Sequence, residues 1–220
     1  MSPLTEAESR YFLKEYSRIE PDSLPLLRFL DEIYSIMTQQ IHFGPQDSLV
    51  DIGCGRGYFL DYLQRRGHTE LYGLDPCRHL IDLSLHDRIR YGSFQNHPFQ
   101  TAQFDIAFTC HTLHHLPDRE PLFPLREMLR LAKKYIVIVE INNTNLPMLL
   151  ISLLNRRVER NALWYNKRKI ASLLRRAGGE MIYQGDLSAG YISGDSRLYR
   201  LCRRLGAPPY NITIARKQAE

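Results

Sequence analysis

From residue 48 to residue 141 the chain alternates short strand-like runs with helix-like runs, and this alternation restricts it to an α/β architecture. Strands are expected at 48–52, 70–74, 88–91, 104–109 and 135–141, with helices at 57–66, 77–85 and 120–132. The run Tyr135-Ile136-Val137-Ile138-Val139 is apolar without alternation, as in a strand covered on both faces. A parallel sheet with helices on both faces meets these requirements. Downstream, a helix is expected at 167–177, capped by Asn166 and stopped by Gly178-Gly179, then a strand at 180–185, a helix at 195–205 and a strand at 210–216. Two amphipathic helices precede the first strand. Thr5 and Glu8 form a capping box for one, and Ser23 or Asp22 caps the other. In the second, Leu26, Leu30, Ile33, Tyr34, Met37 and Ile41 share a face before Gly44 and Pro45 end it.

At 220 residues and 44% hydrophobic, the chain suffices for one sizeable core and is short for two domains, so a single domain over 1–220 is expected. Cys54, Cys77, Cys110 and Cys202 form no CxxC pair, which suggests neither a zinc knuckle nor a disulfide framework and points to a reducing cytoplasm. Met1 to Arg18 lack the apolar stretch of a secretory signal. The longest apolar run, Leu146 to Leu154, contains Pro147 and Ser152 and falls short of the roughly 20 residues needed to span a bilayer. Charge is uneven: residues 1–140 hold 15 basic and 19 acidic side chains, and residues 141–220 hold 14 and 5, or −4 against +9. Such a basic third reads either as a solvated face or as a surface for anions.

The segment Leu49-Val50-Asp51-Ile52-Gly53-Cys54-Gly55-Arg56-Gly57 is a strand that ends in a glycine-rich turn and opens a helix, a context that favours a nucleotide-like ligand. Charge discriminates among such ligands. The dinucleotide pattern GxGxxG needs glycine at position 58, where Tyr58 stands, and the Asp51 carboxylate repels a pyrophosphate. S-adenosylmethionine carries an ammonium and a sulfonium, both cationic, and suits the loop better than NAD. At the end of Leu71-Tyr72-Gly73-Leu74-Asp75 a carboxylate emerges 22 positions after Gly53, where a ribose diol needs acceptors. Asp75 is also placed to cap the following helix.

These segments, with Phe104-Asp105-Ile106-Ala107-Phe108 and the following Leu113-His114-His115-Leu116-Pro117, resemble in order and spacing the successive motifs of class I S-adenosylmethionine-dependent methyltransferases, in particular the branch acting on small molecules. The resemblance covers about residues 45–141. It implies a Rossmann-like, doubly wound seven-stranded sheet, mostly parallel with an antiparallel last strand. It further implies a helical cap at 1–44, a cofactor-binding core at 45–141, and a substrate-side lid and C-terminal hairpin at 142–220. On this basis Gly53, Gly55 and Gly57 pass under the methionine portion of S-adenosylmethionine, with Asp51 and Cys54 in the same strand and turn. Asp75 and the adjoining Pro76 hold the ribose, and Thr109 and Cys110 line the cofactor after the fourth strand. Two departures stand out. Ser93 and Phe94 follow the third strand where many relatives have an acidic residue for the adenine amino group, and Ala132-Lys133-Lys134 replaces the usual Lys-Pro-Gly-Gly turn.

Methyl transfer needs proximity and alignment, and a base only when the acceptor carries a proton. Thr109-Cys110-His111-Thr112-Leu113-His114-His115 offers imidazoles after the fourth strand, and 111 and 114 share a face if a helical turn begins there. His111 is the stronger candidate base and His114 the second; packing and hydrogen bonding are the alternative roles for His114 and His115. HxxHH lacks a nearby acidic or cysteine ligand set, so no metal site is expected. Cys110 lacks the Pro-Cys context of pyrimidine methylation, and Pro208-Pro209-Tyr210 reads as a turn.

The acceptor side is expected at 5–42, 142–165 and 186–209. Leu146, Met148 to Ile151, Leu153, Leu154, Trp164 and Tyr165 form either an apolar lid or ordinary core, and Arg156, Arg157, Arg160, Arg197, Arg200, Arg203 and Arg204 form a cationic rim. The expected acceptor is a small molecule, hydrophobic and anionic. DNA is not expected. An RNA acceptor is the alternative raised by the basic third, although no RNA-binding module is evident, and a cofactor-binding protein without catalysis is another.

Overall fold

A computed structural model describes residues 6–116, 121–142, 165–189 and 208–218. Seven strands form one sheet: β1 Leu49–Ile52, β2 Leu71–Asp75, β3 Ile89–Tyr91, β4 Phe104–Cys110, β5 Ala132–Ile141, β6 Gly179–Leu187 and β7 Tyr210–Lys217. Their order is β3-β2-β1-β4-β5-β7-β6, parallel except for β7, which runs antiparallel to both β5 and β6. The order reverses between β1 and β4. In open α/β sheets the crevice outside the carboxyl ends of the strands at such a point is where ligands bind.

Helices α1 Glu6–Tyr16, α2 Leu24–Gln40, α3 Tyr58–Gln64, α4 Arg78–Ile81, α5 Phe123–Leu131 and α6 Lys167–Ala177 surround the sheet. On one face α2 and α3 bury Leu26, Phe29, Ile33, Leu60 and Leu63 against Phe108, Val137 and Ile212; on the other, α5 and α6 bury Leu125, Met128, Ile170 and Leu173 against Ala107, Ile136 and Ile138. Alternate residues of β5 therefore feed two separate cores. This is why its sequence is apolar without a period of two.

Helix α6 follows its sequence signals closely. The Asn166 Oδ1 accepts from Lys169 N (2.9 Å), and Gly178 closes the helix at φ 87°. Burial of Ile170, Leu173 and Leu174 stabilises it by about 1.5–3 kcal/mol per side chain. Helix α2 departs from expectation. Ser23 sits at its N-cap without a side-chain cap bond, and Asp22 instead accepts from Arg65 (2.7 Å). Pro25 in the first turn has no N–H to satisfy there. The helix also stops at Gln40, before Gly44.

Helix α4 is a single turn, α5 starts at Phe123, β6 continues to Leu187, and β5 begins at Ala132, earlier than its apolar run. Lys133 and Lys134 are exposed there while the backbone already pairs with β4, and Lys134 Nζ reaches Asp47 (2.6 Å) and Asp105 (3.0 Å). Among the described residues no helix is long and apolar enough to cross a membrane. Thr5, the segment 146–155 with Trp164, the arginines proposed as a rim, Cys202 and the helix expected at 195–205 lie outside the described residues.

Candidate functional site

After β1 the chain folds back over the end of β2, because Gly53 N and Cys54 N both donate to Leu74 O (2.7 and 3.0 Å). Gly53 adopts φ 80°, and a Cβ there would stand 2.3 Å from Thr112 Oγ1. Gly55, at φ 56°, donates its N–H to Asp75 Oδ2 (2.8 Å). At Gly53 only glycine tolerates both the dihedral and the approach. The pocket at this turn is floored by Gly53 and Gly55, walled by Asp75, Pro76, Ser93 and Phe94, and roofed by Phe12 and Tyr16 of α1. His111, Thr112, His115 and Leu116 close its remaining side.

Asp51 lies behind this lining and is 3% exposed. Among the described residues its Oδ1 has no hydrogen-bond partner, and burial together with the Asp75 charge pushes its carboxyl well above the ordinary range. An unpartnered buried acceptor beside a glycine turn calls for a cationic donor, and the ammonium of S-adenosylmethionine supplies one. Asp75 is also buried. Each of its oxygens accepts one backbone N–H, Oδ2 from Gly55 and Oδ1 from Cys77 (2.8 Å), so it braces the turn as well as facing the pocket. The helix-capping position itself is Cys77. A carboxylate oxygen has two lone pairs, which leaves each oxygen one acceptor site for a ribose hydroxyl. The residues present therefore fit the cofactor.

Burial pushes Asp75 up to about 6 from 3.8, against the opposing hydrogen bonds from Cys77 and Gly55. A carboxyl raised on folding contributes stability below its unfolded value, and that contribution is lost as pH rises through the folded one. Ligand-free protein is accordingly expected to lose stability from this group between about pH 4 and 6. Hydroxyl donors favour the ionised form, so cofactor binding near pH 6 should release protons. Calorimetry in buffers of different ionisation enthalpy measures this release; an identical heat in all of them would show that Asp75 does not titrate on binding.

Of the two histidines expected to act in catalysis, only His111 lines the pocket. It adopts φ 53°, an uncommon conformation for a residue other than glycine, and its N–H donates to Val139 O (2.9 Å). Its ring lies 4.3 Å from that of Tyr210 and 5.9 Å from Phe29. The shared helical face does not form as expected, because a 3₁₀ turn starts only at Leu113, after the turn in backbone direction at His111. His114, 6.4 Å from His111 between ring centroids, is 2% exposed and paired with the buried Glu140. Its place is behind the lining. His115, assigned no catalytic role from sequence, lines the pocket and meets Phe12 edge-on at 5.0 Å.

Several other expected cofactor contacts also stand behind the lining. Gly57 starts α3 at φ 79°, and a Cβ on it would meet Ile89 Cδ1 at 2.5 Å, so its requirement for glycine comes from dihedral and packing. Cys54 packs between α3 and β2, Thr109 Oγ1 donates to Ile52 O (2.8 Å), and burial, Asp51 and Glu140 raise the Cys110 thiol well above its ordinary value. Such a thiol is no nucleophile. Ser93 and Phe94 do line the pocket, in the region beyond Asp75 where an adenine ring is expected. Among the described residues no cluster of His, Cys, Asp or Glu could hold a metal ion. Sequence reasoning missed Phe12, Tyr16, Thr112, Glu140 and Glu32. The last accepts from Ser188 N, Ser188 Oγ and Ala189 N (2.9, 2.8 and 2.7 Å), tying α2 to the chain as it leaves β6.

Residues 50–138 match the model of a methyltransferase domain family. Among solved structures, a SAM-dependent methyltransferase of Thermotoga maritima is similar at TM-score 0.68 and 19% identity, over 96% of this chain and 99% of that one. A chain from the complex of the Haloferax volcanii Trm112 methyltransferase activator with a methyltransferase reaches TM-score 0.68 at 16% identity, covering 86% and 90%. Geranyl diphosphate methyltransferase in complex with SAM reaches 0.61 at 16%, covering 98% and 92%.

Proposed function

We propose that the chain, which matches a methyltransferase domain model over residues 50–138 and shares the fold of S-adenosylmethionine-dependent methyltransferases, is such an enzyme and methylates an oxygen, nitrogen or carbon of a small hydrophobic molecule bearing an anionic group. The observation that carries the reading is the pocket at the reversal of strand order, lined by Asp75 and His111, with the orphaned Asp51 Oδ1 buried behind its glycine turn. When bound, S-adenosylmethionine supplies a methyl group already activated on a sulfonium. The chain's own residues orient and shield. Asp51 neutralises the amino end, Asp75 accepts from the ribose hydroxyls, and Ser93 and Phe94 border the base. Gly53 and Gly55 admit the ligand to the backbone, while Phe12 and Tyr16 exclude water from above. His111 removes the acceptor's proton, a role within reach of an imidazole near neutral pH. His114, Cys54, Gly57, Thr109 and Cys110 support these residues from behind.

Three segments build the acceptor side in this reading: residues 5–42, 142–165 and 186–209. Phe12 and Tyr16 in the pocket roof support the first, and the Glu32 tie to residues 188–189 supports the last. Support for an acceptor that is both apolar and anionic comes from the run Leu146 to Leu154 and the arginines at 156, 157, 160, 197, 200, 203 and 204. A geranyl diphosphate methyltransferase, whose named substrate combines those two properties, shares the fold.

The test is incubation of the protein with methyl-labelled S-adenosylmethionine and a metabolite extract containing RNA, followed by fractionation. Label is expected in organic-extractable compounds retained on an anion exchanger. Label recovered only in RNA would replace this reading with an RNA methyltransferase, and tight cofactor binding without any labelled product would leave a non-catalytic cofactor-binding protein.

A further inference from the structure

Glu140 stands one residue before the end of β5 and is 1% exposed, although the strand on either side of it is apolar. A carboxylate at such a position is tolerated only when its lone pairs are met. Both oxygens are met by the same short turn. Oε1 accepts the N–H of Leu113 (2.8 Å), and Oε2 accepts from Nδ1 of His114 (2.6 Å). Asn211, directly opposite on β7, gives its Nδ2 to the backbone carbonyls of Glu140 and Ile141 (3.1 and 3.2 Å), which leaves the carboxylate to the turn.

The turn so gripped carries three residues of the pocket lining, His111, Thr112 and His115. Also attaching it are the bond from His111 N to Val139 O, the reach of Thr112 Oγ1 to Cys110 O (3.1 Å) and Gly53 O (3.4 Å), and the ring contacts of His111 with Tyr210 and of His115 with Phe12. His111 itself is held at φ 53°, a conformation that surrounding contacts must enforce. We propose that Glu140 is a positioning residue: its carboxylate, through the Leu113 amide and the His114 ring, sets the turn that presents His111, Thr112 and His115 to the pocket. The proposal rests on the reading of that pocket as the cofactor and methyl-transfer site. As an acceptor-only group, Glu140 also fixes the proton of His114 on Nδ1.

Two variants separate positioning from mere packing. In Glu140→Gln the amide oxygen still accepts from Leu113 N–H while the amide nitrogen now donates to His114 Nδ1, so the ring must move its proton to Nε2. In Glu140→Ala both bonds go. Long-range proton–nitrogen spectra of the histidine rings read the tautomer directly, and S-adenosylhomocysteine serves as the binding probe. Wild type should show His114 protonated on Nδ1. Glu140→Gln should switch it to Nε2 with His111 and His115 signals unmoved and affinity within about 3-fold. Glu140→Ala should shift the His111 and His115 signals and weaken binding by at least about 10-fold, the effect of a lining no longer held. An unswitched tautomer in the glutamine variant overturns the proposal, a result that stands even if the alanine variant does not fold. A folded alanine variant with unmoved His111 and His115 signals and wild-type affinity overturns it equally. Should wild type fail to bind S-adenosylhomocysteine, the functional reading fails instead, while the ring spectra still report what Glu140 holds.

Discussion

Replacing His111 by asparagine is expected to lower turnover by about 10²–10⁴-fold, the usual contribution of a general base. Affinity for S-adenosylmethionine should stay within a few fold, since a base acts on the acceptor's proton. Asparagine is the informative substitution because it tolerates the left-handed backbone that His111 adopts at φ 53°, so loss of the imidazole is not confounded by strain. The measurement is single-turnover transfer to the acceptor found by labelling, across about pH 6 to 9. Full turnover across that range would show that the acceptor needs no base from this residue and would point to a carbon or an already ionised acceptor.

Replacing Asp75 by alanine should weaken S-adenosylmethionine and S-adenosylhomocysteine alike by about 10²-fold or more, because two hydrogen bonds to a charged acceptor, each about 1.5–3 kcal/mol, are lost. The same change leaves the N–H groups of Gly55 and Cys77 without their acceptors, so the glycine turn also loosens. Asp75→Asn isolates the charge. Its amide oxygen can serve one of those N–H groups, while its NH₂ confronts the other. Calorimetry on folded variants decides the matter, and unchanged affinity in Asp75→Ala would remove Asp75 from the binding site.

Where one local signal specified a feature, it was legible in the sequence. The glycine turn between β1 and α3, the carboxylate closing β2, the doubly buried β5 and both caps of α6 all follow from residues within a few positions of one another. Features created by long-range contact were not. Glu140 reads as the polar end of an apolar strand until β5 places it beside Leu113 and His114, 27 and 26 positions away. Thr112 gains its importance only from lying against Gly53, and Phe12 and Tyr16 are indistinguishable in sequence from any apolar face of α1. Position 57 hides a related contact: its glycine is required by a positive φ and by Ile89 on β3, which a motif pattern does not display. The start of β5 was hidden because the exposed Lys133 and Lys134 fall at a register irregularity between Ala132 and Tyr135, which pair with Phe104 and Ile106 of β4.

The placement of β7 has a consequence for how the molecule is built. It follows β6 in sequence, yet it lies inside the sheet, between β5 and β6, and among the described residues it is the strand that pairs with β6. During synthesis the strands β2 to β5 can dock in turn as they emerge, since each finds a neighbour already made. Strand β6 emerges before the neighbour it has among the described strands, its Met181 and Ile182 exposed even in the finished protein. Until residues 210–217 arrive, the edges of β5 and β6 that β7 covers have no partner among the described strands. Tyr210 and Asn211, at the head of the late strand, meet the ring of His111 and the backbone of Glu140. The His111 side of the pocket is thus incomplete until residues 210–217 have arrived.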